Sequence, residues 1–161
     1  ELEEGDFDAV FSDFGGLNCL DDLTKITHHL PNVLKPGAVV TWVLISPYCL
    51  WEWLFALKGK FGLAFRRLKK RNVKAHLEGV EFATYFFSSN DVKKAFGKDF
   101  KVIELEGLAT FTPPPYLDWI SIKYPKFYGF LTWLDQITCK WPLLRIIGDH
   151  FIISLQYQPQ K

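Results

Sequence analysis

Two histidines and one loop carry the residue types that could do chemistry. His150 follows Gly148-Asp149, and His76 sits in "VKAHLEG". An imidazole with its ordinary pKa near 6.5 suits a general base at neutral pH. The loop lies in "FDAVFSDFGGLNCL", Phe7 to Leu20, where an apolar run ends at Ser12 and Asp13 before Gly15-Gly16 and a polar Asn18. This reads as a buried strand delivering a tight, ligand-facing loop. Each feature also has a plainer reading. A lone strand histidine is commonly structural, Gly15-Gly16 can simply make the turn, and Asn18 can satisfy backbone groups near a helix start. His28-His29 read as exposed helix positions.

These residues need elements to position them. Phe7 to Asp13 reads as a strand and Asp21 to Leu34 as a helix, with Asp21 or Asp22 as cap and Leu23, Ile26, Leu30 and Val33 near helical spacing. Pro31 removes a donor from its last turns. Lys35-Pro36-Gly37 reads as a stop and turn, and "AVVTWVLIS", Ala38 to Ser46, as a strand buried on both faces of a parallel sheet. Together they make one βαβ unit with a right-handed crossover, whose ligand side is the carboxyl ends of its strands. Leu50 to Lys70 reads as one helix broken near Gly59 and Gly62, or as two short ones, with a basic end. Lys74 to Phe87 reads as a hairpin about Glu78-Gly79, and Ser88 to Phe96 as a capped helix. Phe100 to Thr112 is a strand ended by Pro113-Pro114-Pro115, Tyr116 to Leu144 an aromatic helical insertion, and His150 to Tyr157 a last strand.

Composition excludes several classes. The 161 residues are 48% hydrophobic and 17% aromatic, enough to bury a substantial core. A net charge of +1 gives no field that argues for nucleic acid. Cys19, Cys49 and Cys139 are widely spaced with no C-x-x-C pair, and the four histidines show no ligand spacing. Reduced thiols and no structural metal are therefore expected. No apolar run reaches the roughly 18 residues that span a bilayer, and a soluble, cytoplasmic protein is expected. The sequence holds no methionine, so it reads as processed, truncated or part of a longer chain.

The stretch "FDAVFSDFGGLNCLDDLTKITHHLPNVLKPGAVVTWVLISP", with its "LKPGAVV" turn, resembles the fourth strand, following helix and fifth strand of class I S-adenosylmethionine-dependent methyltransferases. "SSNDVKKAFG", "FKVIELEGL" and "HFIISLQY" are similar to the capped helix and the sixth and seventh strands of that family. The resemblance is specific over residues 7 to 46 and loose beyond. It implies an α/β fold: a partial Rossmann-like sheet of strands four to seven within one domain, carrying aromatic helical insertions at about 47–87 and 113–147. The family's glycine-rich G-x-G-x-G loop, the acidic residue ending its second strand and its adenine-contacting acidic residue have no counterpart in this sequence. Gly15-Gly16 and Gly59-x-x-Gly62 do not replace them. The front half of such a fold is accordingly expected to be absent, and this chain alone to bind S-adenosylmethionine weakly or not at all.

The resemblance further implies that Asp13, Phe14, Gly15 and Asn18 lie beside the methionine end of the cofactor and the methyl acceptor. His150 and His76 are the candidate proton acceptors, although methyl transfer from a sulfonium can proceed largely by positioning. Trp51, Tyr116 and Trp119 stand for two aromatic sets that could roof an apolar acceptor site or serve as the core of a helical subdomain. The expected function is methyl transfer to a small, apolar or aromatic acceptor. The alternative is a noncatalytic lipid- or protein-binding module. "FRRLKKR", Phe65 to Arg71, could touch an anionic lipid surface or a phosphate-bearing substrate, or simply be a solvated face. Finally, Phe7 to Asp13 would present a bare apolar edge, which is expected to pair with a second copy as a homodimer or to be covered by a rearranged segment.

Overall fold

The computed structural model describes residues 7–13, 15–69, 73–77 and 79–160, with only the backbone described at 75–77. Strand β1 (Phe7–Ser12) is followed by two separate helical turns, α1 (Thr24–Thr27) and α2 (Leu30–Val33), and then by β2 (Leu34–Ile45). The single helix expected over residues 21–34 is thus divided. Pro31 lies in the first positions of α2, where its missing N–H is harmless, instead of inside a continuous helix. The N-cap of α1 is Leu23 and not Asp21 or Asp22, although Asp22, one residue before it, accepts from the Thr24 backbone N–H at 2.9 Å.

The Lys35-Pro36-Gly37 turn also differs from expectation, because it lies inside β2. Phe7 pairs with Leu34 and Ala9 with Val39, so one strand advances two residues while the other advances five. Gly37, at φ +90°, absorbs the resulting bulge. Beyond it, Val10 pairs with Val40 and Ser12 with Trp42 in parallel, as the βαβ reading requires.

After β2 the chain forms α3 (Leu50–Trp53), a 3₁₀ turn (Leu54–Lys58), α4 (Phe61–Ala64) and a second 3₁₀ turn (Arg66–Lys69). Gly59, at φ +71°, closes the first pair, while Gly62 lies within α4. Strands β3 (Val73–Leu77) and β4 (Val80–Thr84) form a separate hairpin, with Leu77 opposite Val80; Glu78 lies outside the described residues. Helix α5 (Ser89–Phe96) starts at a reciprocal capping box between Ser88 and Asp91. Strand β5 (Phe100–Leu108) ends four residues earlier than expected, where Ala109 adopts φ +54°. A 3₁₀ turn (Pro115–Leu117), α6 (Trp119–Lys123) and α7 (Pro125–Thr138) lead by a further turn to β6 (His150–Tyr157).

The main sheet has the order β1-β2-β6-β5, with β6 antiparallel to both neighbours. In terms of the resemblance this is fourth, fifth, seventh, sixth. No other strand pairs with the outer edge of β1 among the described residues, and Phe11 there is 65% exposed. The core lies where β2 and β6 meet α5. Val40, Trp42 and Leu44 pack with Ile153, Leu155, Val92 and Phe96, and the Trp42 and Phe96 rings are 4.5 Å apart. Full burial of each aliphatic or phenyl side chain contributes roughly 1.5–3 kcal/mol.

Candidate functional site

The carboxyl ends of β1 and β2 are held together by one turn. Gly15, at φ +77°, donates its N–H to the Val43 carbonyl at 3.2 Å. The positive φ favours glycine here, and a Cβ would also press on the Ile45 side chain at 3.0 Å. Buried Asn18 completes the clasp. Its Oδ1 accepts from the Ile45 N–H at 2.9 Å, while Nδ2 donates to the carbonyls of Ile45 and Tyr85 at 3.3 and 2.6 Å. The amide is thereby engaged with backbone on both sides, so Asn18 shapes the loop. Asp13 is exposed at the mouth of the turn, and open space lies over Gly16. Phe14 lies outside the described residues.

Antiparallel pairing brings the start of β6 to the end of β2, with His150 opposite Ile45. Here the protein buries an ionic network. Arg67 donates from Nε to Glu52 Oε1 at 2.8 Å and from Nη2 to Asp149 Oδ1 at 2.6 Å. Its Nη1 reaches the carbonyls of Asp149 and Ser46 at 3.0 and 3.2 Å. Arg66 grips Glu52 from the surface through both Nε and Nη2. Glu52, Arg67 and Asp149 are all buried, and the Arg67 guanidinium lies 5.5 Å from the Phe86 ring centre. Such charges survive burial because each is paired and hydrogen-bonded.

This network sets the state of its members. Burial pushes the Asp149 carboxyl up, but the hydrogen bond with His150 and the Arg67 charge outweigh it and hold the pKa at about 2. His150 Nδ1 lies 3.0 Å from Asp149 Oδ2. An ionised carboxylate only accepts, so Nδ1 is the donor in this contact. Burial raises the Cys49 thiol to about 11, which makes it a neutral packing residue beside Asp149.

The aromatic insertions meet over this end of the sheet. Tyr116 stacks on Phe55 with ring centres 6.1 Å apart, and burial raises its hydroxyl to about 12, with Cys49, Glu52 and Asp149 adding to the shift. Trp51 donates its indole N–H to the Phe111 carbonyl at 3.1 Å. Asp135 of α7 accepts from the N–H groups of Thr110, Phe111 and Thr112 at 3.1, 2.8 and 2.8 Å, fixing the second insertion to the same loop. Trp119 is 51% exposed and packs edge-on against Tyr124. His76 is placed differently, in the β3–β4 hairpin opposite Glu81.

A cleft of about 580 Å³ opens nearby, lined by Asp21, Asp22, Leu23, Tyr85, Phe87 and Lys94 among others. It touches the loop through Tyr85, whose carbonyl holds Asn18, but contains no member of the ionic network. Sequence reasoning missed Glu52, Arg67, Asp149 and Asp135. One signal was present: Glu52 is a lone carboxylate in "LWEWLFAL", an apolar setting that calls for a buried partner.

No family model and no curated protein matches the sequence. Solved structures do. A Listeria monocytogenes protein assigned as an S-adenosylmethionine-dependent methyltransferase superposes with a TM-score of 0.57 at 12% identity, covering 99% of this chain and 65% of that one. An S-adenosylmethionine-dependent methyltransferase from Mesorhizobium loti gives 0.50 at 11% identity, with 96% and 63% covered. The fold is that of class I S-adenosylmethionine-dependent methyltransferases, as the sequence resemblance implies. The chain spans about two thirds of the length of these two proteins.

Proposed function

We propose that this chain is the acceptor-side portion of an S-adenosylmethionine-dependent methyltransferase acting on a small, apolar or aromatic molecule. The observation that carries this reading is the convergence of three features on the carboxyl ends of β1 and β2. These are the Gly15-Asn18 turn, the Asp149-His150 pair and the aromatic insertions joined at Phe55 and Tyr116. In open α/β sheets that end is where ligands bind.

The residues present fit one wall of a cofactor site. Asp13 offers a carboxylate and the backbone over Gly16 open space, while Gly15 and Asn18 hold that backbone against β2. Bound there, the cofactor supplies an electrophilic methyl group on a cationic sulfonium. Tyr116, Trp119 and Trp51 would then cover an apolar acceptor and exclude water. For an acceptor that must lose a proton, His150 is the candidate base, oriented by Asp149. Arg67 keeps Asp149 ionised, so Asp149 continues to hold Nδ1–H and fixes the ring. His76, in the hairpin, is a weaker candidate because its backbone belongs to the separate sheet.

The test is transfer of a labelled methyl group by the full-length protein to a panel of phenolic, aromatic and lipid-like acceptors. The proposal expects at least one to be methylated. Cofactor binding without transfer to any would favour the noncatalytic module.

A further inference from the structure

The large hydrophobic side chains left exposed are not scattered. Among the described residues nineteen are exposed, and sixteen fall in two segments of the insertions, six in residues 50–69 and ten in residues 115–145. Single exposed apolar residues need no explanation, but a concentration of this kind does. On α7, Phe127, Phe130, Trp133 and Ile137 recur at three- and four-residue spacing and are each about half exposed, while Leu131 and Thr138 are buried on another side. This helix is therefore apolar toward solvent as well as toward the core.

Charge follows the same division. Residues 50–69 and 115–145 together hold nine Lys and Arg against three Asp and Glu, a net +6, which leaves −5 on the rest of a chain whose total is +1. Two of the three acids are committed inward, Glu52 to buried Arg67 and surface Arg66 and Asp135 to three backbone N–H groups, while Lys140 pairs with Glu104 and Glu106 of β5. Lys58, Lys60, Lys69, Lys123 and Lys126 are exposed, against a single exposed carboxylate, Asp118. The two segments are tied together by the Phe55–Tyr116 stack and by their shared hold on residues 110–112.

We propose that the two insertions form one face that docks on the surface of an anionic lipid bilayer. Exposed Trp, Phe and Leu interspersed with Lys is the composition that lies in a membrane interface, with rings at the headgroup boundary and ammonium groups on lipid phosphates. No helix among the described residues is long and apolar enough to cross a membrane, and this mode of binding requires none. The excess of positive charge on this face selects anionic lipid over a neutral apolar partner. The inference does not rest on methyl transfer and stands or falls separately.

The test is flotation of the purified full-length protein with phosphatidylcholine vesicles, with and without phosphatidylglycerol, together with tryptophan emission. Binding is expected only when phosphatidylglycerol is present, with a blue shift, and should weaken with salt. Each surface cation contributes roughly five-fold to affinity, so Lys58→Gln, Lys60→Gln and Lys126→Gln combined should cost about one hundred-fold. Phe130→Ser with Trp133→Ser should abolish the blue shift while leaving circular dichroism unchanged, since both side chains are half exposed. Equal binding to both vesicle types, or none to either, would overturn the proposal. So would a concentration-dependent dimer, without vesicle binding, that the Phe130→Ser/Trp133→Ser pair dissociates, because the occupant would then be a second copy.

Discussion

Replacing Arg67 with Met would remove the buried arginine paired with Asp149 while leaving the volume filled. The guanidinium makes four hydrogen bonds in the network, to Glu52, to the Asp149 carboxylate and to two carbonyls. Breaking a buried pair by removing one partner costs about 3–5 kcal/mol. Arg66 still holds Glu52, so the lower end, about 3 kcal/mol at neutral pH, is expected.

The pH dependence gives a second handle. The Asp149 carboxyl titrates at about 2 in the fold against an ordinary 3.8, a difference worth about 2 kcal/mol. Because the folded value is the lower one, that contribution is complete above the unfolded value and is lost as pH falls from about 4 toward 2. Without Arg67 the burial of Asp149 is opposed mainly by His150, its folded carboxyl rises, and less stability remains to be lost in acid. Urea unfolding followed by tryptophan fluorescence should show a gap of about 3 kcal/mol between wild type and Arg67→Met at pH 7, narrowing to roughly 1 kcal/mol near pH 2. Adding Asp149→Asn to Arg67→Met should recover part of the loss, since no unpaired charge is then buried. A gap under about 1 kcal/mol at pH 7, or one that does not change with pH, would refute the role given to this network.

Three further outcomes are expected. Asn18→Ala should lower stability by about 2–3 kcal/mol, from the unsatisfied backbone of Ile45 and Tyr85, and a thermal midpoint within a degree or two of wild type would contradict the clasp. Gly107→Ala should cost about 1–3 kcal/mol by overpacking, because its Cβ would lie 2.7 Å from the Arg145 Cα; an unchanged denaturation midpoint would show that the 144–146 turn yields freely. In the active full-length protein, Trp119→Ala should raise the KM for the acceptor while leaving cofactor affinity nearly unchanged. Loss of both together would point to a folding defect instead.

What the sequence made legible was local and strongly patterned. The run from His150 to Tyr157 and the pairing of the strands on either side of Gly79 each follow from a few adjacent residues and are found where expected, and of the several caps offered by Ser88 to Asp91 the helix uses Ser88. The division of the first helix was half legible in Pro31, but the bulge at Lys35-Pro36-Gly37 was not, since it depends on where β1 resumes pairing. The ionic network was hidden for the same reason. Its charged members are separated by up to 97 positions in the sequence, and Arg67 sits in a basic run that by itself looks like solvent-facing charge. Only the fold, by bringing the start of β6 against the end of β2, reveals that this arginine points inward. Of the expected site residues, Gly15, Asn18, His150 and Tyr116 gather at that end of the sheet, while His76 lies in the hairpin.

The most direct measurement is calorimetric titration of the full-length protein with S-adenosylmethionine and, in parallel, with Asp13→Ala and Gly16→Val variants of it. Saturable binding at one site per chain, weakened in both variants while their unfolding midpoints stay near that of the wild type, is the expected result. No heat of binding in the wild type, with the protein shown to be folded, would contradict the methyltransferase reading.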